Sequence, residues 1–134
     1  RDFLFKSNTH QMLLEVIPHQ QFYFINESIR IICQIGLIND NEISLQIVNC
    51  GILNILSEFL QCLELRAKRT ALDFISHIET IAETNNIEEL LSDIFEDQGI
   101  LESIESMMYS DDDFLADQSR NLYLIYKGWM KEAD

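Results

Sequence analysis

Fourteen carboxylates fall between Thr70 and Ser119, and no lysine or arginine falls among them. Carboxylates can do three things: work in pairs as general acid and base, hold a divalent cation, or attract a cationic partner. Glu88-Glu89 and Asp93 with Asp97 are the candidate pairs. A solvated helix edge gives such pairs no reason for separated pKa values, which acid–base work requires. Asp111-Asp112-Asp113 lacks the alternating ligands and distal glutamate of a calcium loop, and suits a helix N-terminus better. His10, His19 and His77 are scattered, and no HExxH, CxxC, GxSxG or phosphate-cradling glycine loop occurs. Cys33, Cys50 and Cys62 are odd in number and match no zinc or redox spacing. Their apolar neighbours predict small buried thiols in a reducing compartment. The expectation is a chain that is not an enzyme, with no cofactor and no metal site.

Attraction of a partner remains. Twenty-three acidic against nine basic side chains give a formal charge of -14. The acidic half would repel duplex DNA, RNA and anionic lipid, so neither nucleic acid nor membrane is an expected partner. Basic protein segments would be drawn to it. No apolar run reaches the length of a membrane span, and no secretory leader is evident. Arg1 in place of Met predicts a piece of a longer protein.

The elements that must position these charges read as helices. One proline and four glycines in 134 residues suit long helices better than a turn-rich sheet. A short helix is predicted over Asn8–Ile17, with Met12, Leu13, Val16 and Ile17 on its apolar side and Pro18 ending it. A longer one spans Gln20–Leu37, where Phe24, Ile25, Ser28, Ile31, Ile32 and Ile35 recur at helical period. After a turn and cap at Asn39-Asp40-Asn41, a short helix over Glu42–Asn49 turns Ile43, Ile47 and Val48 inward. Gly51 separates it from Ile52–Cys62, and a long helix follows over Leu65–Glu83. The order then repeats: Ile87–Asp97, with Leu90, Leu91, Ile94 and Phe95 buried, then Gly99, Ile100–Tyr109, and a last helix over about Phe114–Lys131. Leu115, Leu122, Ile125 and Trp129 share one side of that last helix. Asn86 with Glu89 resembles a capping box, and Ser110-Asp111-Asp112-Asp113 reads as a cap.

Short, middle and long helices thus occur in order twice, at 42–83 and 87–131, after a partial unit at 8–37. Gly-Ile-Leu opens both middle helices, and its two copies lie 48 residues apart. Superposing Gln34 on His77 gives a 43-residue offset. Both values are close to the period of three-helix armadillo units. The expected fold is all-α: a short right-handed armadillo-repeat superhelix, an α–α solenoid forming a single domain over 1–134. An exposed terminal face of such a stack would permit homodimers.

Particular stretches resemble the importin alpha family. Ile47-Val48-Asn49-Cys50-Gly51-Ile52-Leu53-Asn54-Ile55-Leu56 is similar to a helix-one to helix-two junction of that family. Ala71-Leu72-Asp73-Phe74-Ile75-Ser76-His77-Ile78 resembles the third helix of its penultimate repeat. Gly99–Glu105 and Leu122–Trp129 resemble its last repeat, and the likeness spans about residues 20–130. The resemblance implies the C-terminal segment of a nuclear transport adaptor that shuttles between nucleus and cytoplasm and serves cargo bearing nuclear localisation signals. It implies as partners the export receptor CAS/Cse1 and nucleoporins of the Nup50/Nup2 kind. Importin beta would be engaged only through an N-terminal arm missing from this chain. The alternative is an armadillo or HEAT scaffold for signalling or complex assembly.

The family's cargo groove uses a tryptophan and, four residues on, an asparagine. At the matching places this chain has Arg30 and Gln34, then Asp73 and His77. Arg30 would repel a basic peptide, Gln34 could still hold a peptide backbone, and Asp73 could attract lysine or arginine. Expectation therefore moves to an acidic C-terminal surface of Glu88, Glu89, Asp93, Glu96, Glu102, Glu105, Asp111, Asp112 and Asp113. Tyr123, Tyr126 and Trp129 form an aromatic stripe there, serving either as the cap of the stack or as a partner anchor.

Overall fold

The computed structural model describes residues 19–133. The predicted helix over 8–17, Pro18, His10 and the first half of the partial unit lie outside the described residues. Within them the chain is all-helical. Seven α-helices follow one another: α1 His19–Ile38, α2 Asn41–Asn49, α3 Ile52–Phe59, α4 Leu65–Asn85, α5 Glu88–Gln98, α6 Ile100–Met107 and α7 Asp113–Ala133, with a 3-10 turn at Leu60–Cys62. No single described helix is long and apolar enough to cross a membrane.

Local chemistry sets the breaks. Asp40 accepts a hydrogen bond from the Ile43 amide at 3.0 Å and starts α2. Asp112 does the same for Leu115 at 3.0 Å and starts α7. Such caps occupy amides that the first helical turn leaves free. Gly51 (φ 98°) and Gly99 (φ 76°) lie in the left-handed region that favours glycine, and each redirects the chain from a short helix into the next. This explains why both Gly-Ile-Leu copies open a helix. The capping box expected at Asn86 and Glu89 does not form. Asn86 adopts the left-handed conformation (φ 59°) and ends α4, while Ile87 precedes α5 with no side-chain cap. Asparagine tolerates that conformation, so closing one helix wins over starting the next.

Helices in matching places pack on one another: α1 lies against α4, α4 against α7, and α3 against α6. The core runs through these contacts, from Ile29 and Cys33 through Leu53, Leu56, Phe74, Ile75 and Ile78 to Phe95, Ile104 and Leu122. Polar ties join α3 and the 3-10 turn after it to the following layer. Gln98 accepts from the Asn54 amide (3.0 Å), Gln61 donates to the Ser103 carbonyl (3.1 Å), and the Ser103 hydroxyl donates to the Ser57 carbonyl (3.1 Å). At the other end of the stack Asn26, 1% exposed, accepts from the Glu64 amide at 2.6 Å and pins α1 to the start of α4.

Several expected inward faces are corrected. In α1 the core side is Ile29, Cys33 and Gly36, whereas Phe24, Ile31, Ile32 and Ile35 are exposed. Apolar residues surround this helix, so period alone selects no side. Leu90 and Ile125 also face outward, Ile43, Ile47 and Ile94 are half-buried, Cys50 is exposed and Cys62 is half-buried.

Gly36 carries close packing between α1 and α4. A Cβ there would run into the Phe74 ring, with Cδ1 only 2.9 Å away, and Ile47 Cδ1 would stand at 3.3 Å. Gly36→Ala gains helix propensity but overpacks a seam. We expect a net loss of about 1–3 kcal/mol, read as a lower urea midpoint. An unchanged or higher midpoint would show that the Phe74 ring swings aside freely.

Candidate protein-binding surface

The clearest concave site among the acidic residues lies between α5 and the end of α7. Glu88, Glu89, Ser92, Asp93, Glu96, Trp129 and Met130 line an open groove of about 470 Å³. Positions 88, 89, 92, 93 and 96 recur at three and four, so they share one side of α5. Leu91, Ser92 and Phe95 are the buried residues of α5, so the groove runs along the edge of its packed side. The groove therefore has carboxylates along one wall and the Trp129 and Met130 side chains along the other.

The aromatic stripe builds that second wall from behind. Phe95 is fully buried, with the Tyr126 ring centroid 6.2 Å away and that of Trp129 6.3 Å away. Both polar tips find carboxylates. The Tyr126 hydroxyl donates to Glu96 at 2.7 Å, and the Trp129 indole N–H donates to Glu83 at 3.0 Å. Burial, helped by the Glu96 hydrogen bond and charge, pushes the Tyr126 phenol up to about 12. Tyr126 and Trp129 are thus mainly fixtures that hold α7 to α4 and α5. Tyr123, half-buried, has the Lys127 ammonium over its ring at 5.7 Å.

The nine acidic residues of the expected surface do not form one site. Glu88, Glu89, Asp93 and Glu96 meet in the groove. Glu102 and Glu105 are exposed on α6. Asp111 and Asp112 line a different hollow with Lys68 and Gln61, and Asp113 is exposed at the start of α7. Asp112 is held below the usual carboxylate range, chiefly by the Leu115 amide and further by Arg69, 3.3 Å away. Its role is a cap and an inter-helix tie. No group of three or more His, Cys, Asp or Glu residues is placed to hold a metal ion among the described residues.

The four cargo-groove positions are spread along the long helices. Arg30 is engaged by Glu27 at 2.8 Å, Gln34 is exposed, and Asp73 accepts from the Gln118 amide at 2.6 Å. His77 is half-buried, and its Nε2 has no hydrogen-bond partner. Gln118, which ties α7 to Asp73, was not marked by any motif. Neither was Glu79, a carboxylate 1% exposed in the middle of α4. A polar letter in an amphipathic helix reads as surface, so only the packing of α7 reveals either residue.

Comparison with family models, curated proteins and solved structures returned no match.

Proposed function

We propose that this chain is a protein-binding scaffold, a short armadillo-type solenoid whose C-terminal groove takes a basic segment of another protein. One observation carries the reading: Glu88, Glu89, Asp93 and Glu96 converge beside Trp129 and Met130 in an open groove. Carboxylates would steer and select a lysine- or arginine-rich chain, and the Trp129 and Met130 wall would pack its aliphatic stems. The likeness to the last importin alpha repeats supports a nuclear transport adaptor as the setting. Its partners would then be an export receptor of the CAS/Cse1 kind or a Nup50/Nup2-type nucleoporin segment, and it would shuttle between nucleus and cytoplasm.

The test is capture of those two partners, and of a lysine- and arginine-rich peptide, by the chain and by a variant with Glu88→Gln, Glu89→Gln, Asp93→Asn and Glu96→Gln. Rim charges contribute a few tenths of a kcal/mol each, so four together predict an affinity loss of about tenfold or more at low salt. The loss should shrink at high salt as screening removes the charge term from both proteins. Undiminished capture at low salt would remove the charge-led groove from the reading. Binding of the basic peptide without either transport partner would keep the groove and replace the transport setting with a general armadillo or HEAT scaffold.

A further inference from the structure

The opposite end of the stack carries an apolar surface that no described residue covers. Along α1, Phe24, Ile31, Ile35 and Ile38 are 70%, 48%, 42% and 69% exposed. Their spacing of seven, four and three puts them on one side of the helix, a stripe about 21 Å long. That side is opposite Ile29, Cys33 and Gly36, so it points away from α4 and the core. Gln21 and Ser28 share it, and neither carries a charge. The acidic and the basic side chain of α1, Glu27 and Arg30, pair with each other at 2.8 Å. The stripe opens at Ile32 and Ile35 into an apolar groove of about 360 Å³, walled further by Ile43, Ile47, Ile52 and Ile55. Isolated exposed apolar side chains are ordinary, but a contiguous patch continuous with a groove marks a contact surface.

We propose that a second copy of this chain docks here, α1 against α1 in antiparallel sense about a twofold axis at Ile31. Spacing, area and charge select that occupant. Phe24 and Ile38 lie seven residues on either side of Ile31, so an axis there brings Phe24 of one copy level with Ile38 of the other. Ile35 stands one turn before Ile38 at the mouth of the groove, so each Phe24 ring is placed to enter the groove of the other copy. Taking about 200 Å² for a side chain of this size in full view, Phe24, Ile31, Ile32, Ile35 and Ile38 leave roughly 500 Å² of apolar surface open. A stable contact covers about 800 Å² on each partner, rather more than half of it apolar. Between His19 and Arg69 there are five acidic and four basic side chains, whereas Thr70–Ser119 holds fourteen carboxylates and no lysine or arginine. A strongly acidic chain meets its own copy most easily where it is near neutral. A basic partner, by contrast, is drawn to the other end of the stack. With successive helices packed about 10 Å apart, α7 stands about 20 Å behind α1. The acidic ends of the dimer then lie about 50 Å apart, several Debye lengths at physiological salt. The C-terminal groove has no part in this contact.

Sedimentation equilibrium of the whole chain tests the contact. At about 0.1 mM the dimer should be the main species, since contacts of this size form at micromolar concentration or below. Added salt should strengthen it or leave it unchanged, because screening removes repulsion between the acidic ends. Ile31→Glu with Ile38→Glu should raise the dissociation constant about 100-fold or more, by setting like charges across the axis. Leu124→Glu, at a leucine 63% exposed on α7, should leave it unchanged. A second measurement reads the axis itself. Ile31→Cys is made together with Cys50→Ser, which removes the exposed native thiol, and the chain is oxidised mildly. Position 31 then faces its own copy, so a disulfide between the two copies should form there. Should the glutamates disturb the fold, seen as lost helical circular dichroism, the disulfide decides alone, and its absence overturns the proposal. A dimer that survives Ile31→Glu with Ile38→Glu, or that salt or Leu124→Glu dissociates, overturns it too. So does a parent chain that stays monomeric: uptake of an apolar dye then leaves the face to another protein, and refusal of the dye means that the chain covers the face itself.

Discussion

Glu79→Gln should leave stability nearly unchanged at pH 5 and raise it sharply at pH 8. Glu79 sits on α4, 1% exposed, with neither carboxylate oxygen meeting a hydrogen-bond partner. Burial first, and the Glu83 charge second, push its carboxyl from 4.5 up to about 9. The folded chain therefore keeps a proton on Glu79 over a range where the unfolded chain has released it. Folding takes up that proton, so stability is fullest below about pH 4.5 and falls as pH rises toward 9. Each pH unit inside that window costs up to about 1.4 kcal/mol, so a difference on the order of 4–5 kcal/mol separates the glutamine variant from the parent at pH 8. Glutamine has nearly the same shape and no titration. Urea unfolding of both proteins at the two pH values gives the difference, in which all other titrating groups cancel. Parallel stability profiles would mean that Glu79 has an ionised role with a partner the packing conceals.

The second large effect is expected at Phe95→Ala. Phe95 is fully buried and lies under both Tyr126 and Trp129. Removing a buried ring of this size typically costs about 3–5 kcal/mol, a large share of the 5–15 kcal/mol that holds a domain together. The damage should concentrate where α5, α6 and α7 meet, and spare Asn26 and its contact with Glu64 at the far end. Trp129 is the only tryptophan in the chain, which makes its fluorescence a local gauge. A red-shifted emission at temperatures where most helical circular dichroism persists is the expected result. Emission unchanged until global melting would show that Tyr126 and Trp129 are held by their carboxylate partners rather than by the ring beneath. In the first case the same variant should also lose the C-terminal groove, because Trp129 forms its wall.

The helices and their order were legible because their signals are local. Gly51 and Gly99 mark backbone turns that glycine favours, Asp40 and Asp112 cap α2 and α7, and the apolar period of α3, α4 and α6 points one way. The inward side of α1 was not legible. Isoleucine and phenylalanine ring that helix, and its rotation is fixed by contacts that pattern does not show: Gly36 against Phe74 and Asn26 against the Glu64 amide. Asn26 and Glu79 are illegible for the opposite reason: a polar side chain carries no sign of burial in sequence, and both are covered only by a neighbouring helix. The candidate site was legible in part. The run Glu88, Glu89, Asp93 and Glu96 lies on one helix and could be read from spacing. Its separation from Glu102, Glu105 and Asp111–Asp113 depends on how α5, α6 and α7 turn relative to one another, which pattern does not encode. The aromatic stripe offered two roles, and Tyr126 and Trp129 are taken up by internal bonds to Glu96 and Glu83.

The side-chain ties across layers alter how such a stack gives way. Gln98 to Asn54, Gln61 to Ser103 and Ser103 to Ser57 all reach from one triplet of helices into the next. Pulling the last triplet off would strand backbone groups on its neighbour as well as its own. Nearest-neighbour coupling of that kind penalises half-peeled intermediates. A load applied at the C-terminus should therefore be borne in common by both triplets and released in one event, with no plateau between layers.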